Sequence, residues 1–152
     1  MDSSKELIII TGVSGAGKSS AMAFMEDAGY YCIDNMPPEL MSTFVSLLAN
    51  NSEYYPKVAM VVDIRSGYVF EKIIASIDSV EQYGYTCKIV YLDINDTEAL
   101  KRYKLTRRKH PFADKFNGNI QNALDYEREI LAPLRLKADH IIDTSSIDTH
   151  QL

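Results

Sequence analysis

Two stretches of this chain carry residue types and spacings that can do chemistry. The first is GVSGAGKSS, in which Gly12, Gly17, Lys18 and Ser19 fit G-x-x-x-x-G-K-[ST], preceded by the apolar run ELIIIT and followed by a helical pattern. Glycines at such spacing let backbone N–H groups turn inward around an anion without Cβ clashes, and a helix beginning near Lys18 adds its partial positive charge. The pattern predicts that the loop Gly12, Val13, Ser14, Gly15, Ala16, Gly17, Lys18 and Ser19 holds nucleotide phosphates. Lys18 would bridge the β- and γ-phosphates and Ser19 would ligate Mg²⁺. An ordinary glycine-rich turn would not call for Lys and Ser at those two positions. A carboxylate at the end of a neighbouring apolar strand completes such a site by holding Mg²⁺ through water, and VAMVVD supplies Asp63. Asp93, after KIVYL, is the competing carboxylate and also suits a turn before a helix.

The second stretch is KRYKLTRRKHPFADK. It concentrates Lys101, Arg102, Lys104, Arg107, Arg108 and Lys109, out of 16 basic residues in the whole chain. Lys101 and Arg102 read as solvated charge on a helix face. Arg107 and Arg108 lie where Pro111 turns the chain out of helix, and could fold over a nucleotide to neutralise a transferring phosphate. The same cluster could instead clamp an RNA backbone, or be a solvated loop. Asp34-Asn35, after YYCI, is placed either to contact a second ligand or to form the turn into the next helix.

These residues need a frame. The runs ELIIIT (6–11), YYCID (30–34), KVAMVVDI (57–64), TCKIVYLDI (86–94) and DHIIDT (139–144) read as five strands, and their continuous apolarity predicts sheet covered on both faces. Helical patterns fill the intervals. Ala21, Phe24, Met25 and Ala28 keep helical spacing up to a C-terminal Gly29. Pro37 and Pro38 open a second helix to about Asn50, and residues 68–83 form a third. Asn95 with Glu98 starts a fourth, and residues 119–137 form a fifth, bent at Pro133. Strand and helix alternation predicts an α/β, doubly wound, mainly parallel five-stranded P-loop NTPase fold, read as one domain over 1–152. The kinase-like branch is favoured, because no N-K-x-D is present and Gly67 falls one position too late for D-x-x-G after Asp63.

Bulk composition narrows the partners. With 46% apolar and 24% charged residues the chain can bury a core, and a net charge of −5 gives no global attraction for nucleic acid or anionic membrane. Cys32 and Cys87 lack metal-ligand spacing and read as reduced, buried thiols in a reducing compartment. No run is long enough to span a membrane, so a cytoplasmic location is expected.

TGVSGAGKSSA, EDAGYYCIDNMPPEL, VVDIRSG, YLDINDTEALKRYKLTRRKHPF and EREILAPLRLKADHIIDTS together resemble the RapZ/YvcJ family of P-loop nucleotide-binding proteins, some of which are RNase adapters for small regulatory RNAs. The resemblance spans nearly all 152 residues and implies ATP or GTP binding with weak hydrolysis. It implies that Gly12 to Ser19 is the ATP-binding loop and that Asp63, Ile64, Arg65 and Ser66 match a segment assigned to GTP contact. Family members are nearly twice as long, so the chain is expected to be an N-terminal half, with small RNA or an RNase engaged only through the full-length protein. A homo-oligomer is compatible with this reading. A small-molecule kinase, with Asp34 orienting an acceptor hydroxyl, and an RNA-binding module using residues 101–109 remain the alternatives.

Overall fold

The protein is described from a computed structural model. The structure describes residues 5–37, 40–50, 54, 56–62, 69–82, 84–106, 112 and 114–145.

Five parallel strands form one sheet: β1 (Lys5–Gly12), β2 (Tyr31–Met36), β3 (Lys57–Val62), β4 (Tyr85–Asp93) and β5 (His140–Asp143), in the order β2-β3-β1-β4-β5. The helices are α1 (Lys18–Asp27), α2 (Met41–Asn50), α3 (Val69–Gln82), α4 (Asp96–Thr106) and α5 (Ile120–Lys137). The register assigns the two faces. Ile8 pairs with Ala59 and with Lys88, and Cys32 pairs with Ala59, so these residues share one face. On that face the Cys32 thiol donates to the Met22 carbonyl, which places α1 there. On the opposite face the Tyr85 hydroxyl donates to the Leu48 carbonyl of α2 at 3.3 Å, and the Arg135 guanidinium of α5 lies 6.0 Å from the Tyr91 ring. Because β1 to β2 runs one way across the sheet and β2 to β3 runs back, right-handed crossovers must put α1 and α2 on opposite faces.

The core lies where this double cover is complete. Ile9, Met60, Tyr91 and Leu92 are all 1% exposed or less, and the five residues of β3 after Lys57 are buried on both faces. Continuous apolarity therefore marks β1 and β3 as expected. It misleads at β5, whose four residues are all exposed, with Ile141 at 46% and Ile142 at 38%. That strand is the sheet edge, paired only on its β4 side among the described residues.

Local signals set most boundaries. At the end of α1, Gly29 takes φ +95°, its N–H reaches the Glu26 carbonyl, and the Tyr30 N–H reaches the Met25 carbonyl, so the chain leaves through a left-handed C-terminal turn. The Asn95 side chain accepts the Glu98 N–H at 2.8 Å, and the Asn119 side chain accepts the Asn122 N–H at 3.0 Å, starting α4 and α5. Pro133 lies inside α5, within a helix assigned without a break. The second helix starts later than Pro37 suggested. The Leu40 N–H first closes a turn onto the Pro37 carbonyl, and α2 begins at Met41.

Candidate functional site

The carboxyl ends of all five strands lie along one edge of the parallel sheet, and the loop leaving β1 sits at its middle. Gly12 takes φ +143°, and a Cβ there would lie 2.1 Å from the Leu92 carbonyl oxygen, so only glycine lets β1 end this close to β4. The Val13 N–H then donates to that same carbonyl at 3.1 Å, and Val13 and Ala16 are fully buried beneath the loop. Gly15 and Gly17 continue with φ +88° and +103°.

The loop carbonyls are accounted for almost one by one. Gly12 oxygen accepts from the Lys18 ammonium at 2.9 Å, Val13 oxygen from the Ala16 N–H at 3.0 Å, and Gly17 oxygen from the Ala21 N–H at 3.0 Å. Gly15 oxygen accepts from Arg102 Nη1 at 2.9 Å, and Ala16 oxygen from the Thr144 hydroxyl at 2.6 Å. A carbonyl facing the concavity would repel an anion; each of these is committed to a donor instead. The loop ends at Gly17, which caps α1 with no side chain to accept the first-turn N–H groups, so that turn can serve an external anion. Lys18 and exposed Ser19 open this helix.

The loop is also gripped from α5. Glu127, 4% exposed, accepts the Ser14 N–H at 3.0 Å through Oε1 and the Ser14 hydroxyl at 2.5 Å through Oε2. A buried carboxylate needs such donors. Arg102, Glu127 and Thr144 thus belong to the site although sequence reasoning did not place them there. Arg102 is corrected: it is half-buried and bonded to Gly15 and Thr144, because α4 runs beside the loop instead of turning this residue to solvent. Glu127 had left one legible trace. It interrupts the buried stripe Ala123, Leu124, Leu131 and Leu134, a place where an unpartnered charge would be costly.

Asp93 plays the structural part. Its Oδ1 accepts from the Ile94 N–H at 2.8 Å and Arg128 Nη1 at 2.9 Å, and its Oδ2 faces Arg135 Nε at 3.3 Å. Asp96 joins the same cluster, and hydrogen bonds from Gln121 and then from Arg128 hold its carboxyl below the usual range. Asp34 is exposed near the end of β2, where the register slips between Ile33 and Met36 at the carboxyl edge of the sheet. Asp63, Ile64, Arg65, Ser66, Arg107 and Arg108 lie outside the described residues. Beyond the arginines, the chain returns through Phe112, whose ring meets Tyr126 of α5 edge-on at 5.1 Å, and Phe116, 5.5 Å from the same ring.

Among the described residues no group of three or more His, Cys, Asp or Glu could hold a metal alone, and no helix is long and apolar enough to cross a membrane. Cys32 and Cys87 are free thiols, and both are partly buried instead of fully buried as expected from the sequence.

Comparison with known proteins agrees with this frame. The chain is 45% identical over 147 residues to a protein of Alkaliphilus oremlandii named nucleotide-binding protein, and 44% identical over 147 residues to one of the same name from Finegoldia magna. Each alignment covers 97% of this chain but 50% and 51% of the relative, so the chain spans about half the length of the curated relatives it matches. Among solved structures, an uncharacterised protein from Eubacterium ventriosum superposes with TM-score 0.56 at 11% identity, covering 95% of this chain and 91% of that one. The Bacillus subtilis YorR protein, solved with phosphorylated GDP, superposes with TM-score 0.53 at 15% identity, covering 95% and 90%. At such identities these two likenesses speak to the fold alone, a parallel five-stranded sheet with flanking helices. Residues 5–152 match the family described as RapZ-like N-terminal domain, and the chain belongs to that family.

Proposed function

We propose that this chain is a Mg²⁺-dependent ATP- or GTP-binding domain with slow hydrolysis, the N-terminal regulatory half of a longer RapZ-like protein. One observation carries the reading: the carbonyls of Gly12, Val13, Gly15, Ala16 and Gly17 are committed to donors, with Lys18 at the head of a helix that has no side-chain cap. That is an anion site built from backbone, and it reads phosphates, not a base, so ATP and GTP are both accommodated. The names of the curated relatives support a nucleotide as the anion.

In this reading the loop amides and Lys18 bind the β- and γ-phosphates. Ser19 and Asp63 are the residues that would hold Mg²⁺, which when bound supplies charge neutralisation across the phosphates. Residues 63–66 line the nucleotide, and Arg107 or Arg108 closes over it to offset charge at the γ-phosphate. Phosphoryl transfer needs mainly positioning and neutralisation, and no side chain among those assigned is a strong base for water, so turnover is slow. Any traffic with small RNA or an RNase belongs to the full-length protein.

A second reading has its own support: exposed Asp34, beside the β2 register slip at the carboxyl edge of the sheet, suits a small-molecule kinase with Asp34 orienting an acceptor hydroxyl. The fate of γ-labelled ATP or GTP separates the two, measured with Mg²⁺, with and without a small-metabolite extract, beside Lys18→Ala. The regulatory reading expects label only as slowly released phosphate or on bound nucleotide. Label on an extract metabolite, lost in both Lys18→Ala and Asp34→Ala, would make the chain a kinase. The RNA-module reading has less room, since Arg102 of its basic cluster is committed to the loop.

A further inference from the structure

The residue that follows β5 is bonded to the phosphate loop as firmly as to its own strand. Thr144 is 2% exposed, and its hydroxyl donates to the Ala16 carbonyl at 2.6 Å across 128 positions of sequence. Its N–H donates to the Asp93 carbonyl at 2.9 Å, which ties it to the end of β4. Its carbonyl accepts from Arg102 Nη2 at 2.6 Å, and Nη1 of the same guanidinium donates to Gly15 oxygen at 2.9 Å. Two successive carbonyls of the loop are therefore held by two residues that also hold each other. The hold extends one residue further, since the Ser145 hydroxyl accepts the Asn95 N–H at 2.8 Å at the start of α4.

We infer that Thr144, seated by Arg102, is a positioning residue of the nucleotide site and couples occupancy of the loop to the exit of β5. This rests on the nucleotide reading above. Without the Thr144 hydroxyl, the Ala16 carbonyl is a buried acceptor short of its donor, and the peptide that carries it can rotate toward the concavity, where an oxygen opposes phosphate. Coupling between two sites is reciprocal: whatever the nucleotide gains from a fixed loop, the β5 exit gains from bound nucleotide. The exit is the right place for such a signal, because β5 is a four-residue edge strand with every residue exposed, and so has little stability of its own.

The test uses the full chain with Mg²⁺–ATP as probe, Thr144→Val to remove the donor at constant shape, and Thr144→Ser to restore it. Affinity is measured by calorimetry and backbone protection of residues 140–145 by hydrogen exchange. The coupling predicts that nucleotide slows exchange at 140–145 in the unmodified chain, and that Thr144→Val weakens binding about 10-fold, the effect of one lost buried hydrogen bond. Thr144→Ser should bind within about 2-fold of the unmodified chain by the same reasoning. In Thr144→Val, nucleotide should no longer slow exchange at 140–145. If Thr144→Val does not fold, Arg102→Gln releases the Gly15 and Thr144 carbonyls together and must show the same loss. Binding by the valine variant as tight as the unmodified chain's, or exchange at 140–145 indifferent to nucleotide in the unmodified chain, overturns the inference while leaving the nucleotide reading intact. Failure of the unmodified chain to bind Mg²⁺–ATP or Mg²⁺–GTP overturns both.

Discussion

Gly12 and Gly84 both hold φ well above zero, at +143° and +93°, yet they answer to different demands. A methyl group at Gly12 would collide with the backbone of Leu92, whereas at Gly84 nothing lies within 4 Å. Gly12→Ala should therefore cost about 3 kcal/mol or more, since main chain must move, and Gly84→Ala only about 1 kcal/mol of conformational strain. Chemical denaturation of the two variants checks this; equal costs would mean that Gly12 is not wedged against β4. Lys18, Ser19 and the loop glycines were legible in sequence because their geometry is local: eight consecutive residues carry it. Arg102 and Thr144 were not, because their roles depend on which strands end side by side, and spacing along the chain holds no record of that.

Among the elements, α5 does the most to fix the loop from outside. Its buried stripe packs on the sheet, and Glu127 within that stripe takes both donors of Ser14. Glu127→Ala should destabilise the fold by about 1–3 kcal/mol, because two donors lose their acceptor inside protein, while Glu127→Gln, which keeps an oxygen for the Ser14 N–H, should cost less. Thermal unfolding orders the pair, and an alanine variant as stable as glutamine would remove Glu127 from the loop's support. Element types were legible almost throughout. Apolar runs gave strands, and Gly29, Asn95 and Asn119 stop or start helices by side-chain and backbone chemistry that acts within a few residues. The exposed β5 was misread because a short apolar run looks the same at a sheet edge as at its centre.

For the molecule as a whole, burial leaves a signature at high pH. Burial pushes the Cys87 thiol from 9.0 up to about 12, with Glu81 and Asp139 adding to it, and burial pushes the Tyr91 hydroxyl from 10.0 up to about 12. The folded state thus keeps protons that the unfolded chain releases, so this contribution to stability is complete below about pH 9 and is lost as pH rises toward about 12. Denaturation midpoints should fall between neutral pH and about pH 10, and fall less in Cys87→Ala. A midpoint that rises over that range would contradict the buried thiol and phenol.

The double winding was legible in the alternation of strands and helices, and the strand order then follows from the pairing of β1 with both β3 and β4. That pairing sets the Gly12–Ser19 loop at the middle of the sheet's carboxyl edge. The most direct test of its role is a titration of the chain and of Lys18→Ala with ATP, ADP and AMP in the presence of Mg²⁺, followed by calorimetry. A site built from loop amides and Lys18 predicts affinity that rises from mono- to di- to triphosphate in the unmodified chain, and that this gradient collapses in Lys18→Ala. Affinity independent of the number of phosphates, or unchanged by the loss of Lys18, would contradict it.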